Sequence, residues 1–277
     1  MTTLLLCAGC GNEVDNLEIV PLPETEVDSL DFANRDTYQP PVEFAAPAGS
    51  VWKTWKTLYK TCLKTQWSNR SVYLGPSNLL GNGTLIGKNG ALEAQFSTKL
   101  GIPADTIAKC TAYGGFVPCN ITSEITTTVD GLLQGQFTIP QLADSLQAEL
   151  NAAISSGTRT EAKIKSKREN TLDPLLYRNV LRQYMNTPLV KEFREELATG
   201  KFRVITKEYE IEGFSATVTF NRAISAGLKA ALTNSQKAVV HGNIALNLRA
   251  TQTQTLEISS DSRCLVFVEL GKLVLPK

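Results

Sequence analysis

The chain has 277 residues, 28 basic and 27 acidic side chains, a net charge of +1 and 42% hydrophobic residues. This composition is typical of a globular protein, and no apolar run reaches the ~20 residues of a membrane-spanning helix. A single histidine, His241, argues against histidine-rich metal sites and against Ser-His or Cys-His catalysis. We therefore expect no metal site and no cofactor.

Charge is divided unevenly along the chain. Residues 1–50 contain nine acidic residues and one basic residue, Arg35, so they carry −8 and residues 51–277 carry +9. A basic body that follows an acidic leader favours anionic partners for the body.

Residues 1–10, MTTLLLCAGC, resemble the end of a bacterial lipoprotein signal. The cysteine after the small pair Ala8-Gly9, Cys10, would carry the lipid, and Cys7 is the second candidate. The segment lacks a basic n-region and is shorter than a usual h-region. A frayed apolar N-terminus without a role is the alternative.

Residues 11–50 combine five prolines, interleaved acidic residues and no sustained hydrophobic period. Such a segment is predicted to be a flexible acidic tether. Within it, LEIVPL (residues 17–22) has the composition of one edge strand. The predicted folded domain is the remainder, residues 51–277.

Residues 51–67 give the clearest helical pattern in the chain. At 100° per residue the apolar side chains fall in one arc, the lysines in the next and the threonines in the remainder. This pattern predicts either an ordinary packed helix with solvated lysines or an amphipathic helix on an anionic membrane. The candidate lipid-binding side chains here are Trp52, Lys53, Trp55, Lys56, Lys60 and Lys64.

Residues 68–90 are rich in Gly, Asn and Ser and predict two short strands joined by turns. Further along, Cys110 and Cys119 flank the turn Gly114-Gly115. These cysteines are a candidate disulfide in an oxidising compartment, and in a reducing compartment they would be two free thiols.

A helix is predicted over residues 139–154, with leucines at four-residue spacing. The strand after it alternates strictly, with Lys163, Lys165 and Lys167 on one face, and Arg168 extends the basic run. A row of lysines can prevent the edge of a sheet from pairing with another chain and so prevent aggregation. Alternatively, it can contact anionic lipid. Nucleic acid is not expected as a partner, because no nucleic-acid-binding motif accompanies the charge.

The rest of the chain predicts a helical stretch over residues 174–197 and a β-meander after Gly200. GFSATVTFN (residues 213–221) and NIALNLRATQTQT (residues 243–255) alternate apolar and polar residues, as half-buried strands do. The expected fold class is α+β: a twisted, mostly antiparallel sheet flanked by helices, in a single domain.

From residue 186 onward, an Asn-x-Pro-aliphatic helix leads into a strand of the form aliphatic-x-Val-[IVL]-Thr-[EQK], and the terminal strand RCLVFVELGKL (residues 263–273) follows. The positions of these motifs are Asn186, Pro188, Leu189, Phe202, Val204, Ile205, Thr206 and Lys207. In these motifs and their order, residues 140–277 resemble the pore-forming domain of gasdermins, of the bacterial type.

The resemblance implies a protein that binds anionic membrane lipids, forms a homo-oligomer and opens a pore. It also implies a palmitate-type modification of a cysteine near the N-terminus, which corresponds loosely to Cys7 or Cys10. The implied location is the bacterial cytoplasm and inner membrane.

The sequence thus favours two hypotheses. The first is a gasdermin-like, membrane-associating and pore-forming protein. The second is a cell-envelope lipoprotein in the periplasm, with a soluble binding or scaffolding domain behind a tether. An enzyme is not expected, because the sequence has no GxSxG, HExxH or GxGxxG motif.

Overall fold

The fold is given by a computed structural model. The residues that it describes are 18–21, 54–59, 71–77, 81–87, 102–125, 133, 137–184, 202–240 and 244–274.

Helices and strands alternate irregularly along these residues. The helices are α1 (54–59), α2 (Ala104–Ala108), α3 (Asp144–Ser155), α4 (Pro174–Tyr184) and α5 (Ala226–Ala231). The strands are β1 (Glu18–Pro21), β2 (Ser71–Ser77), β3 (Leu85–Gly87), β4 (Thr111–Tyr113), β5 (Val117–Ile125), β6 (Gly157–Leu172), β7 (Phe202–Phe220), β8 (Gln236–Val240), β9 (Ile244–Gln252) and β10 (Thr255–Val274).

These strands form one antiparallel sheet of ten strands, in the order β4-β6-β7-β10-β9-β8. Strand β5 also pairs with β6, β3 with β7, and β1 and β2 with β10. The three central strands are long, with 16 residues in β6, 19 in β7 and 20 in β10. The α+β fold class predicted from the sequence is confirmed.

Strand β7 changes its alternation at one glycine. Before Gly213 the side chains of Tyr209 and Ile211 are buried in the main core, and after it Phe214 and Ala216 are buried there. Ile211 and Phe214 are three residues apart, so a regular strand would place them on opposite faces. Gly213 has a φ of +68°, which an L side chain rarely adopts, and this conformation keeps both apolar runs on the core side.

Helices cover the apolar face of the long strands. Leu150 and Ile154 of α3, Leu228 of α5 and Trp55 of α1 are buried in the same cluster as the strand residues. The Trp55 and Phe214 rings pack with their centroids 5.6 Å apart. The alternation that predicted half-buried strands therefore corresponds to burial under these helices.

A second, smaller core lies at the other end of the sheet. Leu172, Tyr177, Val204 and Leu273 pack there with other buried apolar residues. Burial raises the pKa of the Tyr177 phenol, and this hydroxyl donates to the Gly83 carbonyl at 2.8 Å. The bond ties α4 to the turn before β3.

The N-terminal leader contributes a strand, as its LEIVPL segment predicted. Strand β1 pairs with the end of β10, from Glu18 opposite Val274 to Pro21 opposite Gly271. A Cβ added to Gly271 would lie 2.6 Å from Cγ2 of Ile19, so the glycine is what allows β1 this close.

Of the helices predicted from the sequence, α3 begins later than predicted and α4 begins at residue 174, as predicted. Helix α3 begins at Asp144 rather than at residue 139, because Ile139 forms backbone bonds outside a helix, donating to the Gln147 side chain at 2.9 Å. Helix α4 begins after Asp173, whose Oδ1 accepts from two backbone N–H groups of the first turn, and residues 185–200 lie outside the described residues. Helix α5 was not predicted.

Candidate functional site

Two of the predicted basic side chains, Lys163 and Lys165, lie on the surface of β6. In the sheet register Lys163 is opposite Ser215 of β7. The Lys165 side chain lies against Gly213 of the same strand, β7. Within the described part of the chain, neither lysine forms an ion pair. Lys163 and Lys165 are thus exposed cations, and the charge of Lys165 also acts on Glu212.

An exposed aromatic hairpin lies further along β6, between β4 and β5, with Val117 opposite Lys167 and Tyr113 opposite Asn170. Tyr113 is 57% exposed and Val117 is 51% exposed, so the hairpin presents two large hydrophobic side chains to solvent. A Cβ added to Gly115, at the turn, would meet no other atom within 4 Å. The turn is thus open to its surroundings.

Arginines connect the hairpin to the strands. The Arg168 guanidinium lies 4.6 Å from the Phe116 ring centroid and 5.2 Å from that of Tyr113, and the Arg263 guanidinium lies 4.8 Å from Phe116. Nε of Arg263 is 3.3 Å from Oε1 of Glu212, the neighbour of Gly213 in β7. We call the exposed part of this region the basic–aromatic surface: Tyr113, Phe116, Val117, Lys163, Lys165 and Arg263.

Lys167 does not share the face of Lys163 and Lys165, contrary to the prediction from strict alternation. It is 5% exposed, and its Nζ lies 5.3 Å from the centroid of the buried Tyr59 ring and 3.8 Å from Glu169. Burial lowers the pKa of its ammonium group. The alternation fails because β6 follows the change at Gly213 in β7: Lys163 is opposite the outward Ser215, whereas Lys167 is opposite the core residue Ile211.

The Arg168 side chain also has its binding partners within the protein. Its Nε contacts Oε2 of Glu210, and its side chain is 14% exposed. The prediction of a free cation for lipid is therefore wrong for Arg168 in this conformation. Its role is to hold the aromatic hairpin against β6 through Phe116 and Tyr113.

The predicted lipid-binding helix is only partly described. Trp55 is 0% exposed, so the expectation that it faces a membrane is wrong in this conformation. The cause is the apolar arc, which packs into the main core as it does in an ordinary amphipathic helix. Lys56 is half-buried. The other candidates lie outside the described residues: Trp52, Lys53, Lys60 and Lys64.

The prediction of a Cys110–Cys119 disulfide is wrong. Cys110 is a free, buried thiol in the second core, and burial raises its pKa. Cys119 is disulfide-bonded, with a partner outside the described residues. The two cysteines differ because Cys110 ends the turn after α2 whereas Cys119 lies in the main core. Cys7, Cys10 and His241 also lie outside the described residues.

A buried polar cluster lies where β6, β7 and the turn before β3 meet. The Asn82 backbone N–H donates to Oε1 of Glu208, and Nδ2 of Asn170 donates to Oε2 of Glu208 at 2.8 Å and to Oε2 of Glu210 at 3.1 Å. Burial raises the pKa of Glu208. In the described residues no three His, Cys, Asp or Glu side chains are grouped to hold a metal.

Sequence reasoning missed the aromatic half of the surface. Tyr113 and Phe116 stand on either side of Gly114-Gly115, in a segment that was considered only for its cysteines. Two aromatic residues that flank a diglycine turn are the signal that could have identified an exposed hairpin tip. Arg263 had no such signal, because its position beside Phe116 depends on pairing between distant strands.

Comparison with known proteins adds little to these observations. No protein-family model and no curated protein matches the chain. Among solved structures, it is similar to a bacterial gasdermin from Bradyrhizobium tropiciagri, with 15% identity and a TM-score of 0.37 over 77% of this chain and 84% of that one. A similarity this low assigns no family. In the part of the chain that is described, no helix is long and apolar enough to cross a membrane.

Proposed function

We propose that this chain is a gasdermin-like membrane protein, which binds anionic lipids through the basic–aromatic surface and then forms a pore as an oligomer. The observation that supports binding is that two exposed lysines, which form no ion pair with another described residue, lie on the same strand, β6, that pairs with an exposed aromatic hairpin. Lysines attract lipid phosphates, and aromatic rings partition into the headgroup region. Together they match the chemistry of an anionic membrane surface.

The expected binding is reversible. A basic residue near an anionic surface contributes about 1 kcal/mol, so Lys163 and Lys165 alone would give weak binding. The apolar side chains of Tyr113 and Val117 add burial in the interface. Arg263 contributes less than a free cation, because Glu212 neutralises it.

The pore step is proposed from the long strands. Phe214 and Val218 of β7 face the core, while Ser215 and Thr217 between them face outward. A strand of about 9–11 residues spans a bilayer, and β6, β7 and β10 are longer than this. If α3 and α5 moved away, the apolar face of each strand would face lipid and the hydroxyl face would face water.

Binding and pore formation are tested separately on vesicles. The full chain is incubated with vesicles of phosphatidylglycerol and phosphatidylcholine, and sedimentation and dye leakage are measured. Lys163→Glu with Lys165→Glu should abolish sedimentation at 50 mM salt. The control, Lys237→Glu on the exposed side of β8, should change it little. Binding without leakage would refute the pore and leave the membrane contact, and absence of binding at low salt would refute both.

A periplasmic lipoprotein with a soluble binding domain is the second candidate. The disulfide at Cys119 favours it, because disulfides form and persist in oxidising compartments. Labelling of cells with a palmitate analogue, with Cys10→Ser and Cys7→Ser as controls, tests the anchor. Trapping of thiols during lysis tests the disulfide. Cys119 found reduced in cells would refute the periplasmic location.

A further inference from the structure

The buried carboxylate of Glu208 lies in a site with more negative than positive charge. Glu210 lies near it, since Nδ2 of Asn170 contacts both carboxylates. The cation whose charge acts on Glu208 is Arg168, and this arginine already contacts Glu210. Among the described residues, one negative charge of this group therefore has no cation of its own, although Glu208 accepts hydrogen bonds from Asn82 and Asn170.

Two buried amides beside these carboxylates have unused hydrogen-bonding atoms. Asn82 is 5% exposed and Asn170 is 1% exposed. In the described part of the protein, neither Oδ1 nor Nδ2 of Asn82 has a hydrogen-bond partner, and Oδ1 of Asn170 has none. Buried amides are nearly always paired in native proteins, so these atoms indicate a missing partner.

The backbone holds this arrangement in place. Gly83 donates to the Ile205 carbonyl at 2.9 Å, and Ile205 donates to the Thr84 carbonyl at 3.0 Å, so the turn that carries Asn82 is fixed to β7. A Cβ added to Gly81 would lie 3.1 Å from Oε1 of Glu208. The turn thus closes directly over the carboxylate.

From this geometry we infer that Glu208, Glu210, Asn82 and Asn170 form a binding site for a hard metal cation. The donors are all carboxylate and amide oxygens, which Ca²⁺, Mg²⁺ and alkali cations prefer, and no sulfur or imidazole is among them. The oxygen and nitrogen of an amide exchange places on a 180° rotation, so Asn170 turns its oxygen toward the carboxylates when a cation is bound. The cation supplies the missing positive charge.

This site joins the turn before β3 to β6 and β7, and it borders the basic–aromatic surface, since Asn170 is opposite Tyr113 and Arg168 contacts both Glu210 and the Phe116 ring. Its consequence is stability: a cation that binds the folded chain and not the unfolded chain raises the melting temperature with its concentration. Cation binding is measured by the melting temperature and lipid binding by vesicle assays, so failure of the proposed function would not decide this inference.

The test is thermal unfolding of the full chain, followed by tryptophan fluorescence. The protein is stripped with EDTA and kept in a tetramethylammonium buffer, and CaCl₂, MgCl₂, NaCl or KCl is added at constant ionic strength. We expect at least one of these salts to raise Tm with saturation. Equilibrium dialysis with that cation should give one ion per chain.

Variants locate the site. Glu208→Gln should weaken apparent affinity by about 10–100-fold. Asn82→Ala, which keeps the backbone N–H on Glu208, should weaken it in the same direction and serves if Glu208→Gln does not fold. Glu212→Gln, on the same strand but bonded to Arg263 and Ser166, should retain the wild-type response.

Three results would overturn the inference. One is a Tm that responds to none of the four salts, which would mean that water occupies the site. Another is a Tm that rises only on acidification, which would mean that a proton neutralises Glu208. The last is a salt response that both Glu208→Gln and Asn82→Ala leave unchanged.

Discussion

Lys165 lies directly across Gly213, so closely that a Cβ added to the glycine would be 2.6 Å from Cβ of the lysine. The absence of a side chain at Gly213 therefore allows the lysine stem to pack against β7. The same glycine, at φ +68°, shifts the alternation of β7. Gly213 thus determines both which side chains of β7 face the core and where the Lys165 side chain lies on the surface.

Replacement of this glycine should destabilise the protein. Gly213→Ala places a Cβ in a left-handed conformation and against Lys165, and we expect a loss of about 1–3 kcal/mol in the free energy of unfolding. Urea titration measures it. Gly115→Ala is the matched control, because its Cβ meets nothing within 4 Å. Equal stability of the two variants would contradict the role given to Gly213.

Trp55 should be a major source of stability. Trp55→Ala removes a fully buried ring from the main core, so we expect a loss of about 3–5 kcal/mol, measured by urea denaturation. Leu176→Ala truncates an apolar side chain that is 49% exposed and should cost far less. If Trp55→Ala were as mild as this control, α1 would not be packed as described.

The aromatic hairpin should contribute to vesicle binding without contributing to stability. Tyr113→Ser with Val117→Ser exposes no core, so Tm should change little, while the bound fraction on anionic vesicles should fall several-fold. Val239→Ser, on an exposed residue of β8, is the control. Undiminished binding by the hairpin variant would leave the lysines as the sole contact.

Glu208 should make stability depend on pH. Its folded pKa is raised above the ordinary 4.5, mainly by burial, so the protonated carboxyl favours the folded state. This contribution is present at low pH and is lost as pH rises through the folded pKa. Glu208→Gln keeps a neutral side chain at every pH.

In a buffer without metal cations, the stability of Glu208→Gln relative to wild type should therefore rise as pH increases from about 4.5 toward 8. Urea titrations at several pH values measure the difference. A difference that is constant with pH would show that Glu208 has no raised pKa.

Cys110 and Cys264, the two free thiols among the described residues, should be unreactive in the folded protein. Burial raises the pKa of Cys264 to about 12 and also raises that of Cys110, so thiolate is scarce at both sites. We expect iodoacetamide at pH 8 to modify them only after unfolding, as read by peptide mass spectrometry. Rapid modification of Cys110 in the native protein would mean that the second core opens.

Local periodicity predicted the parts of the fold that depend on neighbouring residues. The alternation around Phe214 and Val218 and the leucine spacing before Leu150 gave the strand and helix that bury these residues. The conformation of Gly213 is not encoded in that pattern, because it depends on which strand lies opposite. Lys167 is buried for the same reason, because its face is determined by the strand opposite it, where Ile211 faces the core.

The candidate site was predictable only in part. Lys163 and Lys165 were identified as exposed lysines, because strict alternation holds on that stretch of β6. Trp55 was ambiguous, since a packed helix and a membrane-bound helix have the same pattern. The contacts of Phe116 with Arg168 and Arg263 and the cluster around Glu208 join residues far apart in the chain, which no local pattern reveals.

Strand β1 begins at Glu18, only eight residues after Cys10. Eight extended residues reach at most about 28 Å. An acyl chain on Cys10 would therefore be connected to the sheet by a short tether that ends at the Val274 end of β10, and not by the forty-residue spacer that the acidic composition suggests. This tether would keep the sheet at a high effective concentration near the bilayer, with the Val274 end nearest to the membrane. A mechanical force on the tether would act first on the Glu18–Val274 pair.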